Sequence, residues 1–146
     1  MILPDANLLL YATDSESPFH KTAKAWWRRC LSGSEPVGLC AVVVFAYLRL
    51  GTSPRAFRNP LSVEEATRRV RRWLGCPEIE YFEMTLTDVE TAMAMLEGAG
   101  AAGNLTTDAQ IAAMARRLRA TIHTADTDFQ RFAGVKWFNP ILGRQG

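Results

Sequence analysis

Little in this chain supports a disulfide scaffold, a zinc site or a membrane span. Its three cysteines, Cys30, Cys40 and Cys76, are odd in number and widely separated, with no CxxC or Cys–His spacing, so they read as reduced packing residues. Only two histidines are present, His20 and His123, and nothing in their spacing suggests a shared metal. The longest apolar stretch, Leu39 to Leu48, is too short to cross a bilayer. Asp5 interrupts the first apolar run, and no basic region precedes it, so no secretory signal is expected and a cytoplasmic location is. P-loop, GxGxxG and Ser-His-Asp patterns are all missing. Neither repeats nor low-complexity tracts occur.

What is present is an ordinary globular composition. The 146 residues are 48% hydrophobic and 22% charged, which excludes wholesale disorder and suits one domain spanning 1–146. The net charge of +2 is only a weak pointer to a polyanionic partner.

Short apolar runs alternate with helical patterns. Ile2-Leu3 ends at Asp5 and passes into Ala6–Ala12. Ser17-Pro18 suggests an N-cap with proline at the first helical position. The helix beyond it puts Ala23, Trp26, Trp27, Cys30 and Leu31 on one face. Val37-Gly38-Leu39 reads as a strand, and Val42 to Leu50 as strand or buried helix, with Ala46, Tyr47, Leu48 and Arg49 favouring helix. Capping boxes at Ser62–Glu65, Thr87–Glu90 and Thr107–Gln110 predict three more helices, the first ending near Leu74 and the second at Gly98. Ile79–Phe82, Thr121–Thr124 and Val135–Phe138 read as further strands. Strands alternating with helices imply a three-layer α/β/α sandwich around a short, mainly parallel sheet. Sites in such folds form beyond the carboxyl ends of the strands.

That rule gives the aspartates their interest. Asp5 follows the first strand, Asp126 and Asp128 follow a late one, and the third capping box puts Asp108 at the start of a helix. Each alone has a plain explanation. Asp108 could complement a helix dipole, and Asp126 and Asp128 could be turn or cap residues. Asp5 is harder to dismiss, because a carboxylate ending an apolar strand is costly without a partner. Together they would form a cluster of mutually repelling carboxylates that a hard cation relieves. An all-oxygen donor set suits Mg2+, with Mn2+ as substitute, and such an ion serves phosphodiester hydrolysis well. Arg68, Arg69, Arg71 and Arg72 read as a solvated helix face, His123 as a core histidine, and Trp26, Trp27 and Trp73 as core or interface.

Four ordered blocks also resemble a known family. Met1–Ala12 resembles the opening of PIN-domain toxins of the VapC family, the nuclease halves of type II toxin–antitoxin pairs. Leu48–Arg55 resembles the segment LR-x-x-T-x-PR, Gly103–Ala113 the segment GNL-x-TDA-x-x-AA, and Thr124–Phe132 the segment T-x-D-x-DF-x-RF. Asn139-Pro140 fits the usual ending. The resemblance implies a PIN-like fold, a Mg2+- or Mn2+-dependent endoribonuclease, tRNA or rRNA as substrate, a small cognate antitoxin and a homodimer. It implies that Asp5 and Asp108 bind the metal, that Asp126 and Asp128 complete the pocket, and that Thr124 and Asn7 are polar supports. Where many relatives carry a glutamate, this chain has Ala46, which removes a ligand for a second ion. Two rivals remain in view: an inactive PIN-fold binding protein, and a nuclease acting on DNA. The antitoxin is expected to cover apolar surface around Trp26, Trp27 and the Tyr47 helix.

Overall fold

Strand β1 is only three residues long, Ile2–Pro4, and all three are buried. A strand with no polar face belongs in the middle of a sheet covered on both sides. The computed structural model, which describes residues 1–146, puts it there. The sheet also contains β2 (Val37–Cys40), β3 (Ile79–Phe82), β4 (Thr121–His123), β5 (Lys136–Asn139) and β6 (Arg144–Gln145), in the order β3-β2-β1-β4-β5-β6. Every neighbouring pair is parallel except β5–β6. Helices complete the α/β/α sandwich: α1 (Ala6–Thr13), α2 (His20–Cys30), α3 (Ala41–Gly51), α4 (Val63–Leu74), α5 (Leu86–Ala99) and α6 (Leu105–Leu118). No helix is long and apolar enough to cross a membrane.

The chain order reverses between β1 and β4, which lie side by side with Pro4 opposite His123. That reversal opens a crevice beyond the strand ends, the place where ligands bind in open parallel sheets. Asp5 leaves β1 into it, and Thr124 leaves β4 beside Asp5, whose N–H donates to the His123 carbonyl at 2.8 Å.

The amphipathic helices form where their spacing predicts. On α2, Ala23, Trp26, Trp27 and Cys30 are buried while Lys21, Lys24, Arg28 and Arg29 are exposed. Helix α4 starts at its Ser62 cap, whose hydroxyl accepts from the Glu65 N–H, and ends at Gly75. Arg68, Arg69, Arg71 and Arg72 on α4 face solvent. The tryptophans are core, not spare surface. Trp27 meets Trp73 edge-on at 5.6 Å, and Trp73 meets the fully buried Tyr47 at 4.8 Å, joining α2, α3 and α4. The expectation that a partner covers surface around Trp26 and Trp27 is therefore corrected, because the protein's own helices cover them; on the Tyr47 helix Tyr47 itself is buried, while Phe45 is exposed. His123 is a core residue as expected. Trp26 Nε1 donates to its Nδ1 at 2.9 Å, and burial pushes its pKa down to about 4, so the ring stays neutral.

Several boundaries differ from expectation. Helix α2 begins at His20, because Ser17 accepts from the Phe19 N–H in a tight turn and does not cap a helix. Helix α5 uses the Thr85–Asp88 box, two residues before the predicted one. Both frames read threonine-x-x-acid; Asp88 wins because it is buried against Arg117 of α6, with Nε–O distances of 2.9 Å. The helix runs one residue past Gly98 and closes on Gly100, whose φ of 69° favours glycine. Helix α6 starts at Leu105, two residues before the predicted cap, because Leu105 is buried and draws that turn into the helix. The final strand is shifted by one residue, and the two-residue β6 is too short to leave a periodic signal.

Candidate metal centre

Burial and geometry bring the four predicted acids to one place. Asp5 sits in extended conformation between β1 and α1, at a helix start but without capping the helix with its side chain. Its Oδ2 accepts from Asn7 Nδ2 and from the Thr124 hydroxyl, both at 2.8 Å. Thr124, fully buried, also accepts from the Asp126 N–H at 2.9 Å and from Asn7 Nδ2 at 3.3 Å. Asn7 Oδ1 in turn accepts from the Ala125 N–H at 3.3 Å. This small network ties β1 to the segment after β4 and explains why a threonine and an asparagine stand at these positions.

Asp126 then turns the chain back. Its Oδ1 accepts from the Asp128 N–H at 2.9 Å, a local turn that points both carboxylates into the crevice. Phe129, fully buried, anchors the one-turn 3₁₀ helix Asp128–Arg131 that follows. Asp108 arrives from the opposite side, on the first turn of α6. It caps nothing; the reading of Thr107–Gln110 as a capping box placed it at the helix start, whereas its side chain faces the other acids. One carboxylate oxygen from each of Asp108, Asp126 and Asp128 lies within 4.8 Å of the others.

The electrostatic consequence is clear. Burial, then the charges of Asp5, Asp126 and Asp128, push Asp108 up to about 7. Asp5 is pushed up to about 6, mainly by burial and partly by Asp126, against the Thr124 hydrogen bond that favours its charged form. Such a group binds protons near neutral pH because it holds more negative charge than water-poor surroundings tolerate. A divalent cation satisfies it better, and an all-carboxylate donor set fits a hard ion such as Mg2+ or Mn2+. Asp5, whose Oδ2 accepts from two donors, is not part of the tight Asp108–Asp126–Asp128 group. Ala46 is buried and lines the groove between α3 and α4.

Thr124 makes the network testable. Thr124→Val keeps the shape but removes the donor to Asp5 and the acceptor for the Asp126 N–H. Losing an outer-shell partner weakens metal affinity roughly 10–100-fold, and stranding a buried N–H costs about 1–3 kcal/mol. Calorimetric titration with Mn2+ and a thermal melt should show both losses; a variant with wild-type affinity would mean that Thr124 does not position the acids.

Phe45 and Arg49 on α3 carry no sequence signature of a binding role, yet they line a groove that also includes Ala46 and Thr107. Phe45 is inconspicuous in an apolar helix, and only the tertiary structure leaves it exposed.

The model of the PIN domain family matches residues 2–135. The chain is similar to Ribonuclease VapC33 of Mycobacterium tuberculosis, 40% identical over 141 residues that span 97% of this chain and 99% of that one. It is also similar to Ribonuclease VapC37 of the same organism, 39% identical over 140 residues, 96% of this chain and 97% of the other. Among solved structures, the M. tuberculosis toxin VapC20, described as cleaving the sarcin–ricin loop, superposes with a TM-score of 0.71 at 20% identity, covering 92% of this chain and 96% of that one. VapBC2 of Rickettsia felis, bound to a DNA fragment from its promoter, gives 0.68 at 19% identity over 95% and 98% of the two chains.

Proposed function

The chain belongs to the PIN-domain family and to its VapC ribonucleases, and from that premise we propose that it is a metal-dependent endoribonuclease, the toxin of a toxin–antitoxin pair. The observation that carries this reading is the convergence of Asp108, Asp126 and Asp128 within 4.8 Å, beside Asp5, at the reversal point of a parallel sheet. Asp5 and Asp108 are the proposed ligands of one Mg2+ or Mn2+, with Asp126 and Asp128 holding it directly or through water. When bound, the ion acidifies water and offsets charge building on a phosphodiester. The protein's own part is to keep the acids in place. Thr124 and Asn7 orient Asp5, the Asp126 turn aims Asp128, and α6 carries Asp108 to meet them.

The proposed substrate is RNA, with tRNA or rRNA as the cellular target, and the proposed partner is a small antitoxin that blocks the acid pocket with a basic side chain. A homodimer is proposed on family grounds. Three free cysteines suit a reducing compartment such as the cytoplasm. Digesting end-labelled RNA and DNA of one sequence side by side tests the substrate class. RNA should be cut and DNA left intact; equal cutting of both would favour a general nuclease, and cutting of neither a pure binding protein.

A further inference from the structure

Helix α3 carries Val42, Phe45, Ala46 and Arg49 at spacings of three and four, so all four share one face. Opposite stand Val63 and Thr67 of α4, and the groove between them has a volume of about 530 Å³. Small-ligand sites span roughly 300–1,000 Å³, so one nucleotide is an appropriate occupant. The groove reaches the first turn of α6, the turn that also carries Asp108, because Thr107 forms part of its lining. Phe45 is 66% exposed, an unusual state for an aromatic side chain in the body of a helix. Arg49 pairs with no carboxylate. On α4, Arg71 continues the row begun by Val63 and Thr67, and Arg68 and Arg72 lie beside it, all exposed. The groove thus offers a free aromatic face, a free cation and a basic border next to a centre for phosphodiester chemistry.

We propose that this groove is a nucleotide subsite in which Phe45 stacks on an unpaired base beside the scissile phosphate and Arg49 holds that nucleotide's phosphate; the proposal rests on the nuclease reading above. Stacking needs a base free of its duplex partner, since only an unstacked base exposes its π-face to a side chain. Phe45 therefore selects for a single-stranded segment at the cut, and Arg49 adds affinity without reading sequence. Ala46 contributes by being small: a longer acid there would narrow the groove and repel the phosphate. A purely apolar peptide in the same place would leave Arg49 without a counter-charge.

The test measures binding apart from cleavage. In the Asp108→Asn protein, a fluorescein-labelled, mixed-sequence single-stranded RNA of about twelve nucleotides is titrated by anisotropy. Phe45→Ala in that background should weaken binding by about 5-fold or more, the low end for losing one aromatic stack. Phe45→Trp should restore it. Arg49→Gln should lower the slope of log affinity against log salt by about 0.7–1, the signature of one lost phosphate contact. Leu86→Ala, which removes a side chain 77% exposed on α5, controls for the loss of exposed apolar surface and should change nothing. If Phe45→Ala binds like its parent while the wild type still cuts RNA, the subsite is wrong and the nuclease reading survives. Unchanged RNA binding with loss of a protein partner would likewise overturn the subsite and assign the groove to that partner. A parent that binds no RNA would overturn the subsite, and a wild type that also cuts none would sink the nuclease reading with it.

Discussion

Asp108→Asn should abolish RNA cleavage and, without metal, make the protein more stable. The two effects share one cause. Asp108 is a half-buried carboxyl raised to about 7 by burial and by three acidic neighbours, so its ionised form is strained in the metal-free fold. A neutral amide of the same shape removes that strain. Because the folded value lies above that of the unfolded chain, the penalty in wild type is full above about pH 7 and shrinks as pH falls toward about 4. Allowing for partial exposure, Asp108→Asn should gain about 1–2 kcal/mol at about pH 8 in EDTA, with the gain fading in acid. Catalysis moves the other way. An outer-shell partner is worth 10–100-fold, so losing a charged ligand should lower cleavage by about 10³-fold or more. Thermal melts across pH and a labelled-RNA assay read both effects. A variant that cleaves at the wild-type rate, or is destabilised at about pH 8, would remove Asp108 from the centre.

Arg117→Met should be the most damaging single change outside the core. Asp88 is 1% exposed, and Arg117 Nε lies 2.9 Å from both of its carboxylate oxygens while Nη2 reaches the Glu83 carbonyl. Burial alone would push Asp88 up, yet the guanidinium and the Thr85 bonds hold it below the usual carboxylate range. Removing the cation strands a buried charge, which costs about 3 kcal/mol even with the Thr85 bonds kept. Asp88→Asn added to Arg117→Met should recover part of the loss, since the amide keeps the helix cap without the charge. Because Asp88 is depressed, the wild-type advantage exists above its unfolded value near pH 4 and is lost as pH drops through the folded one. Urea unfolding measures this; a loss below about 1 kcal/mol at neutral pH would show the pair to be a surface contact in effect. The pair also staples α5 to α6, the helix that delivers Asp108.

Features carried by local periodicity were readable in advance, and those set by distant pairing were not. The α2 stripe through Trp26, Trp27 and Cys30 and the Ser62 cap of α4 are local patterns. The adjacency of β1 and β4 is not, since two three-residue strands carry no mark of which neighbours they choose. The four acids and their convergence were legible, Asp5, Asp126 and Asp128 because they follow short apolar strands and Asp108 because it opens a helix, but their finer arrangement was not. Sequence does not show that one carboxylate oxygen from each of Asp108, Asp126 and Asp128 comes within 4.8 Å of the others, because the turn in which Asp126 accepts from the Asp128 N–H is a tertiary detail. Thr85 and Thr87 head equivalent motifs, and only Arg117, 29 residues beyond Asp88, decides between them. The tryptophans looked available for a partner because sequence cannot show that α2, α3 and α4 meet around them.

The central claim is that this acid pocket cuts RNA through a divalent cation. Its most direct test strips the purified protein with EDTA, mixes it with labelled RNA and adds Mn2+ stepwise while cleavage is followed. No cutting before the ion, followed by a rate that rises and saturates, is the expected result. Equal cutting in EDTA, or none at saturating Mn2+, would contradict it.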